Sequence, residues 1–165
     1  MCGPPDPARM AEPRFRTPTG TPVSAVTTEE MRAVDRVAVE DVGLGLLQMM
    51  ENAGRALAWH VRDVADGPAL VAAGGGGNGG GGLACARHLH NHGVPVTVVL
   101  DREPDELTGA AARQHGILDE MGVEPRVGAG GFDRTDPAVV VDALVGYGLG
   151  GEVRGVARDL IEAAN

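Results

Sequence analysis

Apolar residues recur at helical spacing early in the chain and give way to short, continuous apolar runs further on. Thr27-Thr28-Glu29-Glu30 supplies an N-cap with acid in the first turn, and Met31, Val34 and Val37/Ala38 form a stripe at helical spacing. Together they predict a helix from about Thr28 to Glu40. Gly43-Leu44-Gly45 interrupts the pattern. Leu46, Leu47, Met50, Ala53, Leu57 and Val61 then recur at steps of three and four, which predicts a second amphipathic helix ending near Arg62.

From Pro68 to Ala73 a short apolar run bounded by turn formers suits a buried parallel strand, and a glycine-rich loop follows it. Leu83 to Asn91 has good helix formers closed by Gly93. Val96-Thr97-Val98-Val99-Leu100, opening after Pro95 and closing at Asp101, is a β-branched strand. A helix is predicted from Asp105 to Met121, with Gly122 as its stop. Pro125–Val127 reads as a weak strand, Pro137–Asp142 as another buried strand, and Val156–Ala164 as a closing helix. Strands alternating with helices in this way predict a three-layer α/β sandwich with a parallel sheet and right-handed crossovers.

Composition adjusts this picture at both ends. Six of the 11 prolines fall in residues 1–22, without hydrophobic periodicity, so that stretch reads as a flexible extension and the domain as residues 23–165. Only four residues are aromatic, so the core must be aliphatic. The formal charge is −9, and the 14 basic residues are all Arg, so no basic stripe exists to follow a nucleic-acid backbone or an anionic membrane. Two cysteines, Cys2 and Cys85, make neither a disulfide framework nor a metal-ligand spacing. No secretory or membrane-spanning segment is recognisable, and a soluble, cytoplasmic protein is expected.

Half of the 26 glycines sit in two stretches, Gly74–Gly82 and Gly146–Gly155. The first lies between a strand and a helix, where backbone N–H groups and the positive end of a helix dipole can receive a phosphate. A glycine there lets backbone approach a pyrophosphate closely. A ligandless, flexible connection is the alternative reading. Gly74-x-Gly76-x-x-Gly79 with Asp101 about twenty residues on also satisfies a dinucleotide-binding fingerprint, but in so glycine-rich a run the match is close to automatic.

Three segments taken together resemble the YjeF N-terminal domain family, the NAD(P)H-hydrate epimerases. They are Met50-Glu51-Asn52-Ala53-Gly54, the loop Gly74–Gly82 continuing to Leu89, and Val141-Asp142-Ala143-Leu144-Val145-Gly146-Tyr147-Gly148-Leu149. The resemblance covers about Val23 to Asn165. It implies a Rossmann-like, three-layer α/β/α sandwich with a mostly parallel sheet, and interconversion of the R and S forms of hydrated NADH or NADPH in metabolite repair. A potassium ion would be held by Asn78 and Asp142. Gly77, Asn78, Gly79, Gly80 and Gly81, with Gly146, Tyr147, Gly148, Leu149, Gly150, Gly151 and Glu152, would line the substrate site. Functional pairing with an NAD(P)H-hydrate dehydratase is implied as well.

The sequence departs from the family pattern in two ways. The family loop is similar to G-x-G-N-N-G-G-D-G, whereas Gly77 here replaces the first Asn and Gly81 the Asp. The family's helix, matched by Leu160–Asn165, leads into a strand with a D-x-P-S-G motif, which carries its catalytic Asp and a further cation ligand. That motif would follow Asn165, so no catalytic residue is assigned and the domain is expected to be incomplete at its C-terminus. The sheet edge exposed by a missing strand would favour a homodimer or aggregation.

Two other functions stay open: a nucleotide-binding or scaffold module of the same fold without turnover, and an NAD-dependent oxidoreductase fragment. Asp101 could hold a ribose hydroxyl or cap the next turn. Asn52 could shape the ligand crevice or sit at a helix–helix contact. Cys85 reads as core. His88, His90 and His92 read as a solvated helix end, with no carboxylate in the neighbouring sequence to complete a metal site.

Overall fold

The structure, a computed structural model, describes residues 15–23, 25–132 and 136–165. It divides into two compact units, one reaching to Val42 and the other spanning Gly43–Asn165. Residues 1–14 of the Pro-rich stretch, Cys2 among them, lie outside the described residues.

In the first unit, β1 (Phe15–Arg16) pairs antiparallel with β2 (Pro22–Val23), Phe15 opposite Val23. Helix α1 (Thr28–Arg36) opens on a complete capping box: the Glu30 N–H donates to Thr27 Oγ1 at 3.2 Å, and the Thr27 N–H donates to Glu30 Oε2 at 2.7 Å. The α-helical part is shorter than the apolar stripe predicts. From Val37 to Asp41 the backbone makes a π turn, closed by the Val42 N–H on the Val37 carbonyl at 3.0 Å.

The second unit runs α2 (Leu46–Val64), β3 (Ala69–Ala73), α3 (Gly77–Asn91), β4 (Val96–Leu100), α4 (Gly109–Glu120), β5 (Arg126–Val127), β6 (Val139–Ala143) and α5 (Gly155–Ala164). Its four strands are all parallel, in the order β5-β4-β3-β6. Ala69 is in register with Val96 on one side and Val139 on the other. The chain therefore leaves β3 toward one edge and returns to its opposite flank, which makes the gap between β3 and β6 a topological switch point.

The side-chain alternation of the strands divides the core in two. Ala69, Val71 and Ala73 of β3, with Val98 and Leu100 of β4, pack with Ala58 and Val61 of α2, Leu83, Cys85, Ala86 and Leu89 of α3 and Leu118 of α4. Leu70, Ala72 and Val99 face the other way, toward Leu160 of α5. The expected α/β sandwich is present, with its sheet buried on both faces as a parallel sheet requires.

Two helix starts and one buried face in this unit also differ from the sequence expectation. α3 begins at Gly77 rather than Leu83, so most of the first glycine stretch is helix, although glycine is a poor helix former. Tertiary packing overrides propensity here, because at Gly79 and Gly82 the helix passes too close to its neighbours for a side chain. A Cβ at Gly82 or Gly79 would fall closer than 3.0 Å to Ala143 Cβ or the Gly74 carbonyl. α4 begins at Gly109, after a 3-10 turn over Pro104–Glu106, because Leu107 turns into the core and Gly109 takes a positive φ of 55°. The buried seam of α2 is Met50, Gly54, Ala58 and Val61, while Leu46, Leu47 and Leu57 are exposed. α2 packs so closely on α3 that a Cβ at Gly54 would sit 2.6 Å from Ala84 Cβ and 2.9 Å from the Cys85 amide. Small residues rather than leucines therefore mark the contact.

Candidate functional site

Both glycine segments come to the carboxyl ends of adjacent strands. The first leaves β3 at Gly74, whose N–H still donates to the Ala143 carbonyl of β6 at 3.2 Å. Gly74 can have no side chain, because a Cβ there would collide with the Leu144 carbonyl oxygen. The chain turns at Gly75 and Gly76, and α3 starts with the Gly80 N–H bonded to the Gly76 carbonyl at 3.0 Å. The first N–H groups of a helix have no intrahelical acceptor. Gly77, Asn78 and Gly79 supply them at this crevice, where an anionic group is favoured.

Asn78 ties the two segments together. Its Nδ2 donates to the Val145 carbonyl at 2.8 Å, and Gly146 lies so near that a Cβ there would be 3.1 Å from Asn78 Cβ. With the amide nitrogen committed, the side chain offers a ligand its carbonyl oxygen. The second segment then makes a turn, with the Leu149 N–H on the Gly146 carbonyl at 3.0 Å, and Gly146, Tyr147, Gly148, Leu149, Gly150, Gly151 and Glu152 are all exposed. Glu152 meets Arg154 at 3.5 Å, an ion pair fully in solvent and worth little.

Asp142 is the next-to-last residue of β6, in register with Ala72. Its Oδ1 accepts the Leu144 N–H at 3.0 Å, which shapes the strand's exit and leaves Oδ2 with no bond to the described residues. Asn78 and Asp142 thus flank the exits of β3 and β6 with oxygen donors. Among the described residues no group of three or more His, Cys, Asp or Glu could hold a metal ion. The donors here are of the hard-oxygen kind that suits an alkali cation.

Gly77 and Gly81, the two departures from the family loop, are not required by packing. A Cβ at Gly81 meets nothing within 4 Å, and one at Gly77 meets Met50 Cε at an ordinary 3.6 Å. The backbone keeps room for a Cβ at both positions.

Asp101 lies beside the first segment but does not offer a free carboxylate. Its side chain is 7% exposed, and Arg102 occupies both oxygens, Nε on Oδ1 at 2.8 Å and Nη2 on Oδ2 at 3.0 Å. The ribose-holding role considered for it is disfavoured, because the carboxylate is buried and each of its oxygens already accepts from Arg102.

The remaining candidates fall elsewhere. Asn52 is on the exposed side of α2, accepting from Arg55 Nη2 at 3.2 Å. Cys85 is fully buried, and burial pushes its thiol up to about 12, as befits a core residue rather than a nucleophile. His88 is not a solvated helix end: Glu51 of α2 reaches it with Oε1 at 2.6 Å and binds Arg87 with Oε2. The Arg87 hydrogen bond, foremost, holds the Glu51 carboxyl below its ordinary value. The sequence reading missed this bridge because its partners lie 36 and 37 residues apart. A depression of about 210 Å³ lined by Val61, Arg62, Ala65, Asp66, Gly67 and Val94 lies at the amino ends of the strands, the wrong end for a ligand of an open α/β sheet.

The family described as YjeF-related protein N-terminus matches residues 46–165, which includes every element of the site. The chain belongs to that family. Among its YjeF relatives, an NAD(P)H-hydrate epimerase of Dehalogenimonas lykanthroporepellens is 39% identical over 163 residues, covering 92% of this chain and 63% of the relative. A bifunctional NAD(P)H-hydrate repair enzyme Nnr of Salinibacter ruber is 35% identical over 158 residues, covering 85% of this chain and 29% of the relative. The chain thus spans under two thirds of either relative's length. The crystal structure of the yeast protein ynu0 superposes with a TM-score of 0.75 at 24% identity, over 86% of this chain and 64% of that one, and supports the fold. Among the described residues no helix is long and apolar enough to cross a membrane.

Proposed function

We propose that this chain provides the cofactor-hydrate site of an NAD(P)H-hydrate epimerase, acting on the R and S forms of hydrated NADH and NADPH in metabolite repair. The observation that carries the reading is the Asn78–Val145 bond at 2.8 Å, which joins the two glycine segments into one crevice at the switch point of a sheet of this family. Relatives named NAD(P)H-hydrate epimerase support the substrate class.

Within that reading, the free N–H groups at the start of α3 receive a phosphate of the substrate, and the exposed Gly146–Glu152 segment covers the bound molecule from the β6 side. Asn78 Oδ1 and the Asp142 carboxylate are the groups that would hold potassium, and a cation there would supply positive charge beside the phosphate. Asp142 then serves as a cation ligand. Epimerisation also needs a group that moves a proton while the hydrate opens and recloses. On the family pattern that group belongs to the D-x-P-S-G motif, which these 165 residues do not include. We also propose functional pairing with an NAD(P)H-hydrate dehydratase, in keeping with the bifunctional repair relatives.

The test is epimerisation of hydrated NADPH with and without potassium, alongside Asn78→Ala. The reading expects binding of the nicotinamide cofactor with a potassium-dependent increase in thermal stability, both weakened in the variant. Binding without any turnover would favour a module that holds nucleotide and does not convert it. Absence of binding would contradict the reading.

A further inference from the structure

Arg102, immediately after β4, is built into the edge of the first glycine segment. A Cβ at Gly75 would lie 2.6 Å from Arg102 Nε and 2.7 Å from Cζ, so the guanidinium rests directly against the loop backbone. Asp101 fixes it there. The carboxylate is 7% exposed and grips Nε and Nη2 in a two-point fork, while the Arg102 side chain stays 44% exposed. No bond engages Nη1 among the described residues.

This arrangement exchanges one recognition chemistry for another. An unphosphorylated ribose is recognised at a strand end of this type by a carboxylate that accepts its 2′-hydroxyl, and a 2′-phosphate by an arginine. Here the carboxylate is buried, each of its oxygens accepts from Arg102, and a donor faces solvent in its place. A guanidinium already fixed by Asp101 loses little rotamer freedom on meeting a phosphate, and its planar donors match the phosphate oxygens. The preference must act at contact range, because the Asp101–Arg102 pair is neutral as a unit and Glu106 adds a negative charge near the guanidinium.

We propose that Arg102, positioned by Asp101 against Gly75, is a specificity residue that selects the 2′-phosphorylated cofactor, hydrated NADPH, over hydrated NADH. The inference rests on the proposed cofactor-hydrate site, and the probes NADP⁺ and NAD⁺ separate the two. Isothermal titration of the full chain at fixed ionic strength should give NADP⁺ binding about tenfold or more tighter than NAD⁺, the scale of one charged two-point contact. Arg102→Ala should bring the two affinities together by weakening NADP⁺ alone. Arg102→Lys, which keeps the charge, should lose most of the preference because an ammonium cannot be held in the same two-point fork. Equal affinities in the wild type, or equal weakening of both ligands in the variants, would overturn the specificity role while leaving the cofactor site standing. Failure of the wild type to bind either ligand would overturn both.

Discussion

The two glycine segments look alike in composition and differ in what their glycines do. In the first, Gly74, Gly79 and Gly82 are forced by close approach, to the Leu144 carbonyl, the Gly74 carbonyl and Ala143 Cβ respectively. In the second, Gly148 and Gly150 face open space, and the whole Gly146–Glu152 run is exposed. One segment is a joint, in which α3 is pressed onto β3 and β6. The other is an exposed rim at the mouth of the crevice. Gly77 and Gly81 belong by position to the joint but by environment to the rim, and that is where the chain departs from its family's loop.

The comparison breaks most readily at Gly79. Gly79→Ala should cost at least about 3 kcal/mol in chemical denaturation, because every clashing atom belongs to the Gly74 backbone. Gly82→Ala should cost about 1–3 kcal/mol, since the Ala143 Cβ can give way only with the β6 backbone. A cost at Gly79 no greater than at Gly148 or Gly150, where alanine should stay within about 0.5 kcal/mol, would erase the distinction. The intermediate positions sharpen it. Gly81→Ala should stabilise by about 0.5–1 kcal/mol, as expected for a helical glycine with open space. Gly77→Asn and Gly81→Asp, which restore the family loop, should fold with wild-type cooperativity. A loss above about 2 kcal/mol in either would show that packing selects glycine there too.

The smallest effect concerns the bridge that holds α2 on α3. Glu51 titrates below its ordinary value of 4.5 in the folded protein, chiefly through Arg87. A lowered folded value means that the bridge contributes stability above the unfolded value and that this contribution is lost as pH falls through the folded one. The carboxylate is partly exposed, so the contribution is at most about 1 kcal/mol. Glu51→Gln should therefore narrow the difference in denaturation midpoint between neutral pH and about pH 3.5. An unchanged difference would remove Glu51 from the account.

Much of the fold is legible in the residues because its signals are local. β3, β4 and β6 are short apolar runs between turn formers, and the Thr27–Glu30 capping box is written within four residues. What escapes is set by partners distant in sequence. The start of α3 cannot be read from glycines whose helical state depends on Ala143, and the seam of α2 follows from closeness to Ala84 rather than from hydrophobicity. The Glu51–Arg87–His88 bridge is hidden for the same reason. At the site, Asn78 and both glycine stretches stand out as residues, but the bond that joins them crosses 67 positions. Arg102 had a signal within reach, an arginine directly after the strand-end Asp101, and reading Asp101 alone concealed that its carboxylate was already engaged.

The central claim is that the two segments form one ligand site. Amide hydrogen exchange of the full chain with and without NADP⁺ tests it most directly. Protection should rise together at residues 77–81 and 146–152, with the strand interiors unchanged. Protection confined to one segment, or absent from both at saturating ligand, would contradict a shared site.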